Sequence, residues 1–290
     1  MKLLFLSDTH GNLDLINHLA KKHDAEYCFH AGDICCFDQD TIPFFTDKEL
    51  MQMIRHSALS SSLELNISRA QMEEIAIKYR AYGNFYQYLC GEKRFDIPVY
   101  FVMGNREDLH IIERIRNNRI LNLTILDDHE PVFFDNFSFF GIGGTFQKVS
   151  FTRDLMPPGR IYPVISRSDL QKLTDAVDQI PPKYKRFFLT HMGPAEIPEI
   201  QLLAQRLAAD YVLSGHTHHF SVQDWYCEHE KAVQQFQEKY HWQSYRHSFR
   251  KDRFTTLNFN LPNATRGYII FETKNDETNV SFQYFDTEKR

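Results

Sequence analysis

Five short polar clusters carry the groups of this chain that could do chemistry: Asp8-Thr9-His10, Gly32-Asp33, Gly104-Asn105-Arg106-Glu107, Thr190-His191-Met192-Gly193-Pro194 and Gly215-His216-Thr217-His218, in that order. Together they offer carboxylate and amide oxygens and imidazole nitrogens. Imidazole suits Zn, Fe or Mn, and a carboxylate can bridge two cations and lower their repulsion, so the mixed set suits two adjacent divalent transition-metal ions. Two cations about 3.5–4 Å apart can hold a bridging hydroxide and clamp the non-bridging oxygens of a phosphate during in-line displacement. This is a di-metal hydrolase pattern. A single histidine means little in a chain that has 14 of them. Two at alternate positions in Gly215-His216-Thr217-His218 mean more, because alternate residues near a strand end can both be ligands and the glycine permits a close turn.

Each cluster directly follows an apolar run that reads as a buried strand. The runs are Leu3-Leu4-Phe5-Leu6, Tyr27-Cys28-Phe29, Val99-Tyr100-Phe101-Val102-Met103, Phe187-Phe188-Leu189 and Tyr211-Val212-Leu213. Groups at the carboxyl ends of several strands converge on one edge of a sheet.

The order D-x-H, G-D, G-N-x-[DE], H, G-H-x-H resembles the calcineurin-like metallophosphoesterase superfamily over roughly residues 3–220. The resemblance implies an α/β fold, a two-sheet αββα metallophosphoesterase sandwich, with a C-terminal strand pair completing it. It also implies a ligand set: Asp8, His10 and His218 on one metal, Asn105, His191 and His216 on the other, and Asp33 bridging. Asn105 and Arg106 are the implied catalytic positions. At the second of these the chain departs from many members, which have histidine where Arg106 stands. That histidine is credited with protonating the leaving group or stabilising the transition state. Arginine donates hydrogen bonds to phosphate but is no general acid near neutrality. His110 or solvent is left to supply a proton, or the enzyme favours good leaving groups; a structural role for Arg106, paired with Glu107 or Asp108, is the alternative. A shorter stretch, Tyr86-Gln87-Tyr88 and Gly91-Glu92-Lys93 leading to Gly104-Asn105, is more weakly similar to RNA lariat debranching enzymes.

Composition narrows the class of partner. The 290 residues allow one large α/β domain or two small ones, and 42% hydrophobic residues suffice for a sizeable core. A formal net charge of −5 supplies no global field for nucleic acid or anionic membrane, although a local basic cleft would not register in it. No run approaches the ~18 apolar residues of a membrane span, and Met1 to Leu6 is too short for a signal peptide. Five cysteines without metal-type spacing point to a reducing compartment, with the cytoplasm as the default. Adjacent Cys35 and Cys36 are expected to pack near the site rather than to ligate. Oligomeric state is not legible.

Strands and helices alternate along a single metallophosphoesterase domain, 1–290, with two insertions. Asn12 is placed to cap a helix running to about Lys22, with Leu13, Ile16, Leu19 and Ala20 on one face. Residues 38–95 exceed a simple crossover and read as a helical cap, with a Ser68/Gln71 capping box and Met72, Ile75, Ala76, Tyr79, Tyr86 and Leu89 at helical spacing. A helix from near Asp108 turns Ile111, Ile112 and Ile115 inward. Phe137 to Ile142 reads as a strand, and a Gly/Pro-punctuated loop follows in which Arg153 and Arg160 are candidate substrate contacts. Ser166 starts another helix, and Ile197 to Leu207 forms a shorter one. Residues 219–265 are the second insertion. Its aromatic and basic mixture, including Trp225, Trp242, Tyr245, Arg246, Arg250 and Arg253, could stack bases and bind phosphates, but an amphipathic helix over Glu228 to Tyr240 explains the same letters. Tyr268 to Phe271 and Val280 to Phe285 form a closing hairpin.

The expected function is a two-metal phosphoesterase, a phosphodiesterase rather than a monoesterase because Arg106 disfavours poor leaving groups. An RNA- or DNA-processing nuclease on the same site and a non-catalytic protein-binding scaffold are the alternatives. Intact ligand positions weigh against the scaffold.

Overall fold

A computed structural model describes residues 1–56, 67–118, 120–126, 130–145, 165–240, 253–274 and 277–284. Two six-stranded mixed sheets face each other and helices cover their outer sides. The first sheet contains β1 (Lys2–Leu6), β2 (Tyr27–His30), β3 (Val99–Phe101), β4 (Leu123–Ile125), β11 (Gly267–Lys274) and β12 (Glu277–Tyr284), in the order β12-β11-β1-β2-β3-β4. The second contains β5 (Val132–Phe134), β6 (Phe137–Ile142), β7 (Lys185–Thr190), β8 (Tyr211–Ser214), β9 (Ser221–Glu228) and β10 (Arg253–Asn260), in the order β5-β6-β7-β8-β10-β9.

Period-two alternation builds the layers. In β1, Leu3 and Phe5 point between the sheets while Leu4 and Leu6 point to the helices; in β7, Phe187 and Leu189 point between the sheets and Phe188 to the helices. Between the sheets lies a stacked aromatic seam, in which Phe29 and Phe187 lie 4.0 Å and 4.7 Å from the Phe139 ring. Over the first sheet lie α1 (Asp14–His23) and α5 (Leu109–Asn118), through Ile16, Leu19, Ile111, Ile112 and Ile115. Over the second lie α6 (Arg167–Asp178) and α7 (Pro198–Arg206), through Leu170, Leu173, Ile200 and Leu203. The buried Arg186 guanidinium of β7 donates to the carbonyls of Val177, Ile180 and Leu207, at the ends of these two helices. Cationic donors suit helix C-termini, where carbonyls lack partners.

The expected sandwich is therefore present, with several local corrections. Ser166 caps α6 as expected, in a box with Asp169. Asn12 does not cap α1: the Leu13 amide instead donates to Asn84 Oδ1, 3.1 Å away, from the 38–95 segment. That segment is helical, with a 3-10 turn (Gln39–Phe44), α2 (Asp47–His56), α3 (Arg69–Lys78) and α4 (Phe85–Leu89). Its Ser68/Gln71 box is formed. The helical spacing breaks at Arg80, whose φ is 50°, so Tyr79 and Tyr86 face solvent while Met72 and Ala76 are buried. Residues 219–265 contribute not only α8 (His229–Tyr240) but also β9 and β10, so they extend the second sheet. β10 runs parallel to β8 and antiparallel to β9. The closing hairpin is β11 with β12, and β11 pairs antiparallel with β1.

The 38–95 segment is seated beside the loop after β1. Gly11, with φ +83°, lies so close to Gly83 that a Cβ on it would sit 2.7 Å from the Tyr82 carbonyl oxygen. Asn84 N donates to Gly11 O at 2.9 Å. Inside the segment, Ile42, Leu50, Met53, Ile54, Met72 and Ala76 form a small core that also takes in Cys35 and Phe37.

Candidate metal centre

The loops after β1, β2, β3, β7 and β8 meet at one edge of the two facing sheets. Six non-glycine residues there adopt left-handed backbone: Asp8, His10, Asp33, Cys35, His216 and His218, with φ between 47° and 66°. Such conformations cost of order 1–3 kcal/mol each and persist where surrounding contacts hold them. Ser7 Oγ donates to Asp8 Oδ2 at 2.5 Å, and His216 N donates to the same oxygen at 3.0 Å. Arg106 N donates to Asp33 Oδ1 at 3.1 Å. Buried Glu107 accepts from Gly104 N and from Cys35 N, so one carboxylate ties the loop after β3 to the loop after β2.

The seven residues expected as ligands come together in two adjoining groups. In the first, His218 Nε2 lies 3.1 Å from Asp8 Oδ1 and 3.2 Å from His10 Nε2, with His10 Nε2 at 3.8 Å from Asp8 Oδ1. In the second, Asn105 Oδ1 lies 3.0 Å from His191 Nε2 and 3.1 Å from His216 Nδ1, and the two ring nitrogens are 3.2 Å apart. Asp33 Oδ1 lies 3.4 Å from His191 Nε2, and one oxygen or nitrogen each from Asp8, Asp33 and His191 fall within 4.8 Å of one another. Asp8 and Asp33 thus stand between the groups.

The donor chemistry fits cations. His191 Nδ1 lies 2.9 Å from the Ala31 carbonyl, which can only accept, so Nδ1 carries a proton and Nε2 is the ring atom turned toward Asn105 Oδ1. Positive charge between Nε2 and Oδ1, whether a proton or a bound cation, satisfies this 3.0 Å contact. A carbonyl or other polar partner on the far ring nitrogen is the usual support of a ligating histidine. His10 has its partner in Cys35, with Sγ 3.5 Å from Nδ1. His216 has Glu196, with Oε1 3.5 Å from Nε2.

The electrostatics agree. Burial opposes ionisation of Asp8, but the hydrogen bond from His218 and the charges of His191, His10 and His218 hold its carboxyl well below the usual range. Burial would lower His191, yet Asp33, Asp8 and Glu107 outweigh it and raise its pKa, so this pocket favours a cation. Burial, with Asp33 beside it, raises Glu107 to about 7. Burial also pushes the Cys35 and Cys36 thiols up, which makes both poor thiolate ligands.

Arg106 is turned into the site rather than toward Glu107 or Asp108. Its Nε lies 3.8 Å from Asp33 Oδ2, and its Nη2 donates to Gln52 Oε1 of α2. His110 is exposed on α5. Arg153 and Arg160 lie outside the described residues, as do Trp242, Tyr245, Arg246 and Arg250 of the aromatic and basic segment. Ser7, Gln52, Glu107 and Glu196 had no expected role. Glu107 lay inside a motif; Gln52 and Glu196 are polar letters in ordinary helical or loop sequence, without a signal. Among the described residues, no helix is long and apolar enough to cross a membrane.

No curated protein matches the chain. A family model described as calcineurin-like phosphoesterase matches residues 1–220, the stretch that carries all five clusters and seven convergent donors. Members of that family are phosphoester hydrolases that use two divalent metal ions. With three quarters of its length covered, and with its donors gathered where two mixed sheets meet, this chain belongs to the calcineurin-like phosphoesterase family.

Proposed function

We propose that this phosphoesterase cleaves phosphodiesters at a centre in which Asp8, His10 and His218 hold one divalent ion, Asn105, His191 and His216 hold the other, and Asp33 lies between them. The observation that carries the ligand assignment is the convergence of His191 Nε2, Asn105 Oδ1 and His216 Nδ1 at 3.0–3.2 Å from one another, with Asp33 Oδ1 at 3.4 Å from His191 Nε2. When bound, the two ions supply Lewis acidity to phosphoryl oxygens and make water a nucleophile at neutral pH. Imidazole-rich donors favour Mn, Fe or Zn over Ca.

The chain's own groups orient and charge the site. Ala31, Cys35 and Glu196 fix the rings of His191, His10 and His216, and Glu107 fixes the two loops that present Asp33 and Asn105. Arg106 offers a permanent positive charge to a phosphate oxygen and holds no proton it can release near pH 7. Diesters with good leaving groups suit that chemistry better than alkyl monoesters. The family match does not single out the RNA lariat debranching enzymes, and the described part of the aromatic and basic segment is built into β9, α8 and β10. The free thiols of Cys28, Cys35, Cys36 and Cys90 suit a reducing compartment such as the cytoplasm.

Metal analysis and a substrate panel test this reading. Protein stripped by chelator should regain two equivalents of Mn²⁺ and regain hydrolysis of bis(p-nitrophenyl) phosphate, faster than of p-nitrophenyl phosphate. Equal restoration by Ca²⁺, or faster monoester cleavage, would overturn the metal or the diester assignment respectively. A 2′,5′-linked dinucleotide in the panel separates general diesterase from lariat-type activity.

A further inference from the structure

The 38–95 segment meets the candidate centre where Gln52 Oε1 accepts a hydrogen bond from Arg106. The guanidinium has only donors, so it is the amide oxygen of Gln52 that faces it. Gln52 is half-buried on α2, and its neighbours Leu50, Met53 and Ile54 are packed into the segment's core, which fixes the helix. The helix is fixed a second time by Arg69 of α3, which donates to the Phe45 carbonyl at 2.6 Å and pairs with Asp47 at 2.9 Å. Asp33 holds the other end of Arg106, through the main-chain N at 3.1 Å and through Nε at 3.8 Å. The guanidinium is thus spanned between a carboxylate of the centre and an amide of the segment.

The kind of residue at position 52 matters. A carboxylate there would cancel the charge of Arg106, whereas an amide orients it and leaves the charge intact. Among the described residues, the walls of the cleft beside it, opposite His10 and Arg106, are Cys35, Phe37, Met53, Ala81 and Tyr82, none of them an ion-paired side chain. A cation against apolar walls attracts an anion more strongly than one in water.

We propose that Gln52 is a positioning residue that aims Arg106 at a non-bridging phosphate oxygen, so that the 38–95 segment takes part in substrate recognition through this amide. The proposal rests on the phosphoesterase centre described above and adds the element that orients its arginine.

A double-mutant cycle on the metal-loaded full chain tests it, with inorganic phosphate as competitive inhibitor. Gln52→Ala should weaken phosphate inhibition about tenfold, the scale of losing one orienting hydrogen bond to a charged group. Gln52→Leu, which keeps the volume, should do the same with two metal equivalents retained. Gln52→Glu should weaken inhibition at least as much, because it neutralises the arginine. In an Arg106→Ala background each Gln52 substitution should have no further effect. An equal loss in both backgrounds would overturn the positioning role, since a merely structural glutamine acts with or without Arg106. Unchanged inhibition in all three Gln52 variants would overturn it too. A metal-loaded parent that neither binds phosphate nor hydrolyses any ester would instead remove the phosphoesterase centre on which the proposal stands.

Discussion

Glu196 sets its Oε1 3.5 Å from Nε2 of His216, on the side of the ring opposite the Nδ1 atom that meets Asn105 and His191. The other carboxylate oxygen is buried and has no hydrogen-bond partner among the described residues, so the charge is directed at the imidazole. A carboxylate so placed fixes the tautomer that leaves Nδ1 bare and raises its basicity.

Glu196→Gln should therefore lower metal affinity by about 10–100-fold, the usual cost of losing a partner behind a ligating histidine. Chelator competition reads this directly. An affinity equal to the parent's would show that His216 is oriented by its loop alone.

Asp33 has an oxygen within 4.8 Å of a donor atom of Asp8 in one group and of His191 in the other, and also accepts from the Arg106 main chain. Asp33→Asn removes one negative charge between two cations and keeps the shape. Bound metal should fall from two equivalents to one or fewer and turnover should fall with it, by about 100-fold or more. Metal content and turnover both unchanged would remove Asp33 from the centre.

What could be read in advance divides by physical cause. The five ligand loops were legible because each pairs a chemically unusual cluster with an apolar strand, and the strands of the two sheets have clean alternation. β9 and β10 were not: Asp224 in one and Asn258 and Asn260 in the other interrupt the apolar pattern, and their pairing is decided by β8, far away in sequence. β4 and β5 are three residues long, too short to show a period. Asn12 looked like a cap because local rules favour it, but Asn84, 71 residues from Leu13, takes the Leu13 amide instead. Glu196, the partner of His216, and Gln52, the partner of Arg106, are ordinary letters whose meaning exists only once loops meet in space.

His30 lies fully buried under the loop of Asp8, its Nε2 3.0 Å from the Thr9 hydroxyl and its Nδ1 without a partner among the described residues. Burial lowers its pKa to about 4, with His191 acting in the same direction and the Asp8 and Asp33 carboxylates opposing. Cations at the centre would act in the same direction as burial. The folded state thus holds His30 neutral while the unfolded chain binds a proton below about 6.5. The unfolded state binds more protons in that window, so stability is present above about 6.5 and is lost as pH falls toward 4, to the extent of about 3 kcal/mol. His30→Gln should flatten the fall between pH 6.5 and 4 in urea unfolding relative to the parent. An identical slope in both proteins would show that His30 does not titrate as its burial requires.

Arg106 bears on the choice of substrate. Held between Asp33 and Gln52, it can donate to a phosphate oxygen, and Arg106→Ala should raise the barrier by about 2–4 kcal/mol, the range for losing one preorganised donor in a site screened from water. Arg106→His should behave differently, because imidazole can release a proton near pH 7 and so can assist esters whose leaving groups need one. The ratio of rates on an alkyl ester and a nitrophenyl ester separates the two roles: the alanine variant should lower both rates together, and the histidine variant should shift the ratio toward the alkyl ester. If the alanine variant equals the parent on both, Arg106 contributes only to the packing of α2 against the centre, and the preference for diesters loses its physical basis.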